Sequence, residues 1–275
     1  MPAPDAAPRD AEDLALLLDA AQAAAPVAMG HFRARPAAWD KPGGAGPVSE
    51  ADLAVDALLR ETLLAARPDY GWLSEETEDD PARLERASVF IVDPIDGTRA
   101  FLNGDPGFAH ALAVVRDGRV TAAVVHLPAM GLTYAARAGG GATLNGHPLR
   151  VGEGPDMGGA RLLGGKAVLA PAHWPGGVPP VTRAFRTSLA WRLCLVAEAR
   201  YDATMALRSV WEWDSAAASL IALEAGVTVT DRTGAALGFN AAHPAADGLL
   251  AAPPRLHGQL LARMHHGEPG EPMGQ

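Results

Sequence analysis

One cysteine, Cys194, serves the whole 275-residue chain, so no disulfide can close within it and a reducing compartment is expected. Aromatic residues are scarce, 5 % against 48 % apolar overall, which leaves a core to be built from closely packed alanine, valine and leucine. No lysine or arginine cluster offers a surface that tracks a phosphate backbone, and the net charge is −9. A nucleic-acid polymer is therefore not expected as a partner. The first thirty residues lack a basic start followed by an uninterrupted apolar run and carry Asp5, Asp10, Glu12 and Asp13 instead, so no signal peptide is read there. No stretch is read as long enough to cross a membrane. These absences point to a cytoplasmic protein with room for one large or two medium domains, and two are expected.

What the chain does have is concentrated in Ser88-Val89-Phe90-Ile91-Val92-Asp93-Pro94-Ile95-Asp96-Gly97-Thr98-Arg99-Ala100-Phe101. A β-branched and aromatic run reads as a strand that ends in two carboxylates three positions apart. Pro94 biases Asp93 toward an extended conformation, Asp96-Gly97 turns the chain, and Thr98 opens a helix. The two Asp side chains and the Ile95 carbonyl can converge on one point, which suits Mg²⁺, an ion that takes oxygen ligands at about 2.0–2.1 Å and keeps several waters. The N–H groups of Gly97 and Thr98 would face a phosphate oxygen.

Around this stretch the elements fall in order. Leu14, Leu17, Leu18, Ala21 and Ala25 have helical spacing over 11–34, with Pro26 expected to kink or interrupt the segment. Residues 36–48, rich in glycine and proline, form either a poorly ordered connection or a functional flap. A helix starts at Ser49, whose spacing to Asp52 resembles a capping box. Tyr70–Leu73 reads as a strand leading to Ser74-Glu75-Glu76. Ala109–Arg116 and Val120–His126, joined by Asp117-Gly118, read as a hairpin that sets His110 opposite His126. Val168 and Leu169 read as a strand, Ser188–Ala199 as a helix, Tyr201–Leu207 as a strand and Asp214–Ala225 as a helix stopped at Gly226. A strand at 227–230 and a final strand and helix at 249–264 follow. Residues 11–150 form an expected α+β domain and 151–266 an α/β domain. Residues 1–10 and 267–275 are read as disordered tails, and His265-His266 as part of the tail.

Asp52, Glu75, Asp93 with Asp96, and Asp214 each sit at a strand end or helix start. Taken together they supply what phosphoryl transfer between oxygens requires, namely ions that neutralise the phosphate and assist the attacking water. Asp93-Pro94-Ile95-Asp96-Gly97-Thr98, Ser74-Glu75-Glu76, Pro47-Val48-Ser49-Glu50-Ala51-Asp52 and Trp213-Asp214-Ser215-Ala216-Ala217 with Glu224-Ala225-Gly226 resemble the inositol monophosphatase family of Mg²⁺-dependent, lithium-sensitive phosphatases. The resemblance implies a five-layer αβαβα sandwich, an α/β fold with α+β layers, and two or three Mg²⁺ per site. It implies that Glu75, Asp93 and the Ile95 carbonyl bind one ion, that Asp93, Asp96 and Asp214 bind a second, and that Asp52 assists a weaker third through water. It further implies that Glu75 and Thr98 orient and deprotonate the attacking water, that Gly97 and Thr98 bind the phosphate, and that Lys41 is a mobile-loop lysine near the substrate. A homodimer is compatible with it. The sequence departs from the family at Ala218 and Val227, both in places where glycine is usual, and these are expected to narrow the pocket.

The segment Phe185–Glu198, with Cys194 twenty residues before Asp214, is similar to the 3'(2'),5'-bisphosphate nucleotidase (CysQ) branch. That similarity implies adenosine 3',5'-bisphosphate as substrate, with Ser188 on the substrate side and Arg208 or Arg192 at the second phosphate. Against it, Thr187 stands where glycine is usual and Trp191 is bulky. Inositol 1-phosphate, histidinol phosphate and sugar phosphates are the competing substrates, and a non-catalytic binder of a phosphorylated metabolite is the alternative of another class. Cys194 reads as a core residue. Trp211 and Trp213 read as packing near the site, Trp211 with the option of stacking on a base.

Overall fold

A strand buried at every position needs cover on both faces, and the burial of β-strands in this chain sets its layering. The computed structural model describes residues 6–44 and 46–265. After α1 (Ala6–His31), the hairpin strands β1 (Ala38–Asp40) and β2 (Pro47–Ser49), and α2 (Glu50–Ala66), the chain enters its main sheet. This comprises β3 (Gly71–Ser74), β4 (Ser88–Asp96), β5 (Ala109–Arg116), β6 (Arg119–Leu127), β7 (Leu132–Arg137), β8 (Ala142–Leu144) and β9 (His147–Leu149), with the short helix α3 (Thr98–Leu102) between β4 and β5. The seven strands lie in sequence order, the first pair parallel and the rest antiparallel.

The period of two along a strand assigns each side chain to a layer. Leu112 and Val114 of β5 join Phe90, Val92 and the inner side of α1 and α2. Ala109, Ala111, Ala113 and Val115 face the opposite way. There they meet α4 (Leu189–Ala197) and α5 (Glu212–Glu224), where Ala216, Ala217, Ala218 and Ala222 supply equally small surfaces and let helix and sheet approach closely. All nine residues of α4 are buried, as expected of a helix covered on both sides.

Beyond these helices lies the second sheet. Its strands are β10 (Arg161–Leu163), β11 (Thr182–Ala184), β12 (Ala203–Ala206), β14 (Thr228–Thr230) and β16 (Leu249–Ala252), in the order β11-β10-β12-β16-β14; the short pair β13 (Val210–Trp211) and β15 (Ala245–Ala246) stands apart. The last helix, α6 (Pro254–His265), packs Leu256 and Leu260 against Leu162, Met205 and Leu250 on the far face. The order helix, sheet, helix, sheet, helix is the expected five-layer α/β sandwich.

Several local expectations are corrected. Residues 6–10 are not a disordered tail but the first turns of α1, where buried Asp10 accepts a 2.6 Å bond from Arg116 Nη1. The expectation for 1–5 and 267–275, and for His266, falls outside the described residues, while His265 ends α6. Pro26 does not interrupt α1; it and Gln22, whose carbonyl loses its helical partner, are both exposed to water. Over Arg9–His31 the same helix is, contrary to expectation, long and apolar enough to cross a membrane by length and composition. Here Leu17, Ala20, Ala21, Ala24 and Ala28 are packed into the core, and fully buried Asp13 binds Arg67, Tyr70 and Arg116. Val168 and Leu169 belong to a 3₁₀ turn rather than a strand. The strands of that region are β10 and β11, three residues each. Within 36–48, β1 pairs with β2, so this segment is a hairpin.

Candidate active site

β4 does not stop at Asp93 but continues through Asp96. Its register with β5 passes from Asp93 opposite Ala111 to Asp96 opposite Ala109, so Pro94 and Ile95 together face the single residue His110. This is a β-bulge. Two residues three apart in a regular strand point to opposite faces; the extra residue here brings Asp93 and Asp96 to the same one. Gly97 then turns the chain with φ of 100°, a left-handed conformation that favours glycine. A Cβ at that position would also lie 3.3 Å from the Gly107 carbonyl oxygen and 3.4 Å from Ser188 N. Thr98 opens α3 as the sequence suggests.

The bulge delivers its carboxylates to a third. Oxygens of Asp93, Asp96 and Asp214, the last from the first turn of α5, all lie within 4.8 Å of one another. Asp96 is held from behind by the start of α4: Ser188 Oγ at 2.7 Å and Ala190 N at 2.6 Å donate to one oxygen, Leu189 N at 3.2 Å to the other. Ser188, expected on the substrate side, is fully buried behind Asp96. Asp93 Oδ1 accepts from Ile95 N at 3.0 Å, whereas Asp93 Oδ2 is buried with no hydrogen-bond partner among the described residues.

Glu75 follows β3 directly and lines the same cleft. Asp52 has two functions at once. Its Oδ2 accepts from Ser49 N at 2.9 Å and Ser49 Oγ at 2.5 Å, which caps α2, and its Oδ1 lies 3.1 Å from Thr98 Oγ1. Thr98 Oγ1 is also 3.2 Å from the Ile95 carbonyl oxygen. Lys41 reaches in from the hairpin, its Nζ 2.8 Å from Glu75 Oε1 and 2.8 Å from Glu76 Oε1.

Burial sets the electrostatics. It raises the carboxyl pKa of Asp93 and Asp214 well above the ordinary range, and neighbouring acids add to it: Glu75 and Asp96 act on both. Asp96 is pushed up to about 6 by burial, against the pull of Ser188, the α4 backbone and Arg192. Burial also raises Asp52, and takes Glu76 to about 7. For Lys41 burial disfavours the ammonium, but Glu75 and Glu76 outweigh it and the pKa is raised. The donor set fits a hard divalent ion: clustered carboxylate oxygens, one of them buried without a hydrogen-bond donor. A cation among them would reverse every repulsion that raises these groups.

The carboxylates line a cleft of about 650 Å³ together with Phe185, Thr187, Arg192, Met205, Ala206 and Arg208, and the charges of Arg192 and Arg208 act on Asp214, that of Arg192 also on Asp96. Arg192 is 6 % exposed, donates Nε to the Ser188 carbonyl at 3.4 Å and lies over the Phe185 ring at 5.6 Å. Among the described residues neither Arg192 nor Arg208 has a carboxylate partner within 4.0 Å. Phe185, 49 % exposed at the rim, was not singled out by the sequence, where an aromatic beside arginine carries no signal of its own. Ala218 and Val227, expected to narrow the pocket, are instead buried in the core between the sheets, and neither lines the cleft. Trp211 and Trp213 stack on each other at 4.8 Å and 10°, away from the cleft lining. Cys194 is buried and its thiol pKa is raised by burial, in keeping with a core residue.

The model of the inositol monophosphatase family matches residues 10–268. An inositol-1-monophosphatase of Rhizobium meliloti is 40 % identical over 202 residues, covering 70 % of this chain and 74 % of that protein. A histidinol-phosphatase of Mycobacterium tuberculosis is 32 % identical over 272 residues, covering 93 % of this chain and 99 % of that one. Among solved structures, extragenic suppressor protein suhB from Bartonella henselae superposes with a TM-score of 0.79 at 26 % identity, covering 93 % of this chain and 99 % of that chain.

Proposed function

The chain belongs to the inositol monophosphatase family of metal-dependent phosphatases, and from that premise we propose that it is a Mg²⁺-dependent 3'(2'),5'-bisphosphate nucleotidase. It is a phosphoric monoester hydrolase acting on a small phosphate ester; the substrate is the proposed part. The observation that carries it is the pair Arg192 and Arg208, which line the same cleft as the acids and, among the described residues, have no carboxylate within 4.0 Å. Arg192 is buried, and a buried guanidinium with no directly bonded acid is costly unless an anion or acceptor arrives with the ligand. A second phosphate on the leaving group supplies one, and the Phe185 ring beside Arg192 offers a face for a flat base. The ammonium of histidinol phosphate would instead meet two cations.

In this reading Glu75, Asp93 and the Ile95 carbonyl hold one Mg²⁺ and Asp93, Asp96 and Asp214 a second, with most ligands in 11–150 and Asp214 in 151–266. The bound ions neutralise the phosphate and lower the pKa of the attacking water. The chain's own part is orientation. Thr98 gives its hydroxyl proton to Asp52, which Ser49 fixes in turn, so the Thr98 lone pairs are left to accept from the water. Glu75 takes the water's proton as the new P–O bond forms and the ester P–O bond breaks, and the leaving oxygen takes up a proton from solvent. The N–H groups of Gly97 and Thr98 hold the phosphate, and the alcohol departs past Arg192 and Arg208.

The second reading, inositol 1-phosphate, is favoured by the Rhizobium relative. Purified protein assayed with Mg²⁺ against adenosine 3',5'-bisphosphate, inositol 1-phosphate and histidinol phosphate decides between them. The bisphosphate is expected to have the highest kcat/KM; a preference for inositol 1-phosphate would replace the proposal by the second reading.

A further inference from the structure

The bulge that aims Asp93 and Asp96 to one side is not held by the backbone ladder alone. Pro94 has no N–H to donate, and Ile95 N turns to the Asp93 side chain. Of the bulge's two carbonyls, that of Ile95 accepts from Thr98 Oγ1 and that of Pro94 is engaged by Nδ1 of His110, the one residue of β5 opposite Pro94 and Ile95. His110 is fully buried, and its ring lies on the sheet face away from Ala109 and Ala111, beside Phe108 and His126. A carbonyl only accepts, so Nδ1 must carry the proton. Nε2 then carries a lone pair, and among the described residues it has no hydrogen-bond partner. Burial pushes the imidazole pKa down to about 4, which agrees with a neutral ring.

We infer that His110 is a positioning residue of the site: its Nδ1–H, given to the Pro94 carbonyl, locks the two-against-one bulge that turns Asp93 and Asp96 toward the same point. A regular strand would place one of the two carboxylates on the wrong face of the sheet, so the ligand set depends on the bulge and the bulge on this bond. The inference rests on the reading that these carboxylates hold a divalent ion. Groups that orient ligands from behind commonly change metal affinity by about 10–100-fold.

The test uses the full chain and Mn²⁺ as the probe, with free ion counted by electron paramagnetic resonance. His110→Leu keeps an apolar group of similar bulk without a donor and is expected to weaken Mn²⁺ binding about tenfold. His110→Asn places an amide N–H close to the position of Nδ1 and is expected to recover most of that loss. Equal affinity of the Leu variant and the native protein overturns the inference, as does an Asn variant no better than Leu. A native protein that binds no Mn²⁺ counts against the metal reading instead. Nitrogen-15 NMR of the native imidazole needs no variant: the Nδ1–H tautomer between pH 5 and 8 is expected, and an Nε2–H tautomer overturns the inference.

Discussion

The Lys41 ammonium lies 2.8 Å from Glu75 Oε1 and 2.8 Å from Glu76 Oε1, so one cation ties the β1–β2 hairpin to the end of β3. Glu75 is also the acid proposed to hold a metal ion, and the two cations compete for it. Unit charges 4 Å apart interact by about 4 kcal/mol at an effective dielectric of 20, and solvent at the partly exposed ammonium reduces that. Lys41→Gln is therefore expected to lower the Mg²⁺ concentration for half-maximal activity, by about tenfold or ~1.4 kcal/mol. A Mg²⁺ titration checks this, with calorimetry as an independent measure. An unchanged or raised constant would mean that Lys41 and the metal do not compete.

Asp93→Asn should separate activity from stability. Asp93 is buried among acids, and its unpartnered Oδ2 is available to an ion. The amide removes one negative charge from the proposed ligand set, and turnover is expected to fall by at least about a hundredfold. Without metal the same change relieves repulsion with Glu75, Asp96 and Asp214, and the melting temperature in chelator should rise by about 2–4 °C for each kcal/mol recovered. Loss of activity accompanied by a lower melting temperature would point to misfolding instead.

Much of this site was legible before the structure. Asp93, Asp96, Glu75 and Asp214 stand at strand ends and helix starts, where side chains reach a shared edge, and that placement follows from hydrophobic pattern and turn residues. The register was not legible. Alternation in β4 puts Asp93 and Asp96 on opposite faces, and only pairing with β5 reveals the bulge that corrects it. The partnership of His110 with Pro94 escaped for the same reason, although the opposition of His110 and His126 was read correctly. Strands β10 and β11, at three residues each, are too short for a period to emerge. Ser188 is placed on the substrate side by the resemblance of 185–198 to the nucleotidase branch; as N-cap of α4 it instead faces Asp96. The layering was legible through the family resemblance, and its physical cause shows in the burial of β5 up to Val115 and of all of α4.

The metal-free protein should lose stability as pH rises through the acid range. Burial takes Glu76 from an ordinary 4.5 to about 7 and Asp96 from 3.8 to about 6. Between these limits the folded chain binds more protons than the unfolded one, so the free energy of unfolding decreases with pH. Melting in chelator at pH 5, 6, 7 and 8 should show a steady fall. Saturating Mg²⁺ should reduce the slope, because an ion among ionised acids favours the deprotonated folded form. A chelated protein whose melting temperature rises over the same range would reverse the assigned direction.

Arg208 offers the sharpest test of the substrate. It is exposed in the cleft lining and, among the described residues, has no acid within ion-pair distance, its charge acting on Asp214 only from farther off. Arg192 is a poorer choice, since its guanidinium also supports the Ser188 carbonyl and packs on Phe185. A hydrogen bond to a charged group contributes about 1.5–3 kcal/mol, and exposure places Arg208 at the lower end. Arg208→Gln should therefore raise KM for adenosine 3',5'-bisphosphate about tenfold. KM for inositol 1-phosphate, which has no second anion, should stay within about twofold of the native value, a difference below ~0.5 kcal/mol. Equal losses for both substrates would mean that Arg208 acts on the shared phosphate rather than on the leaving group, and the bisphosphate reading would lose its main support.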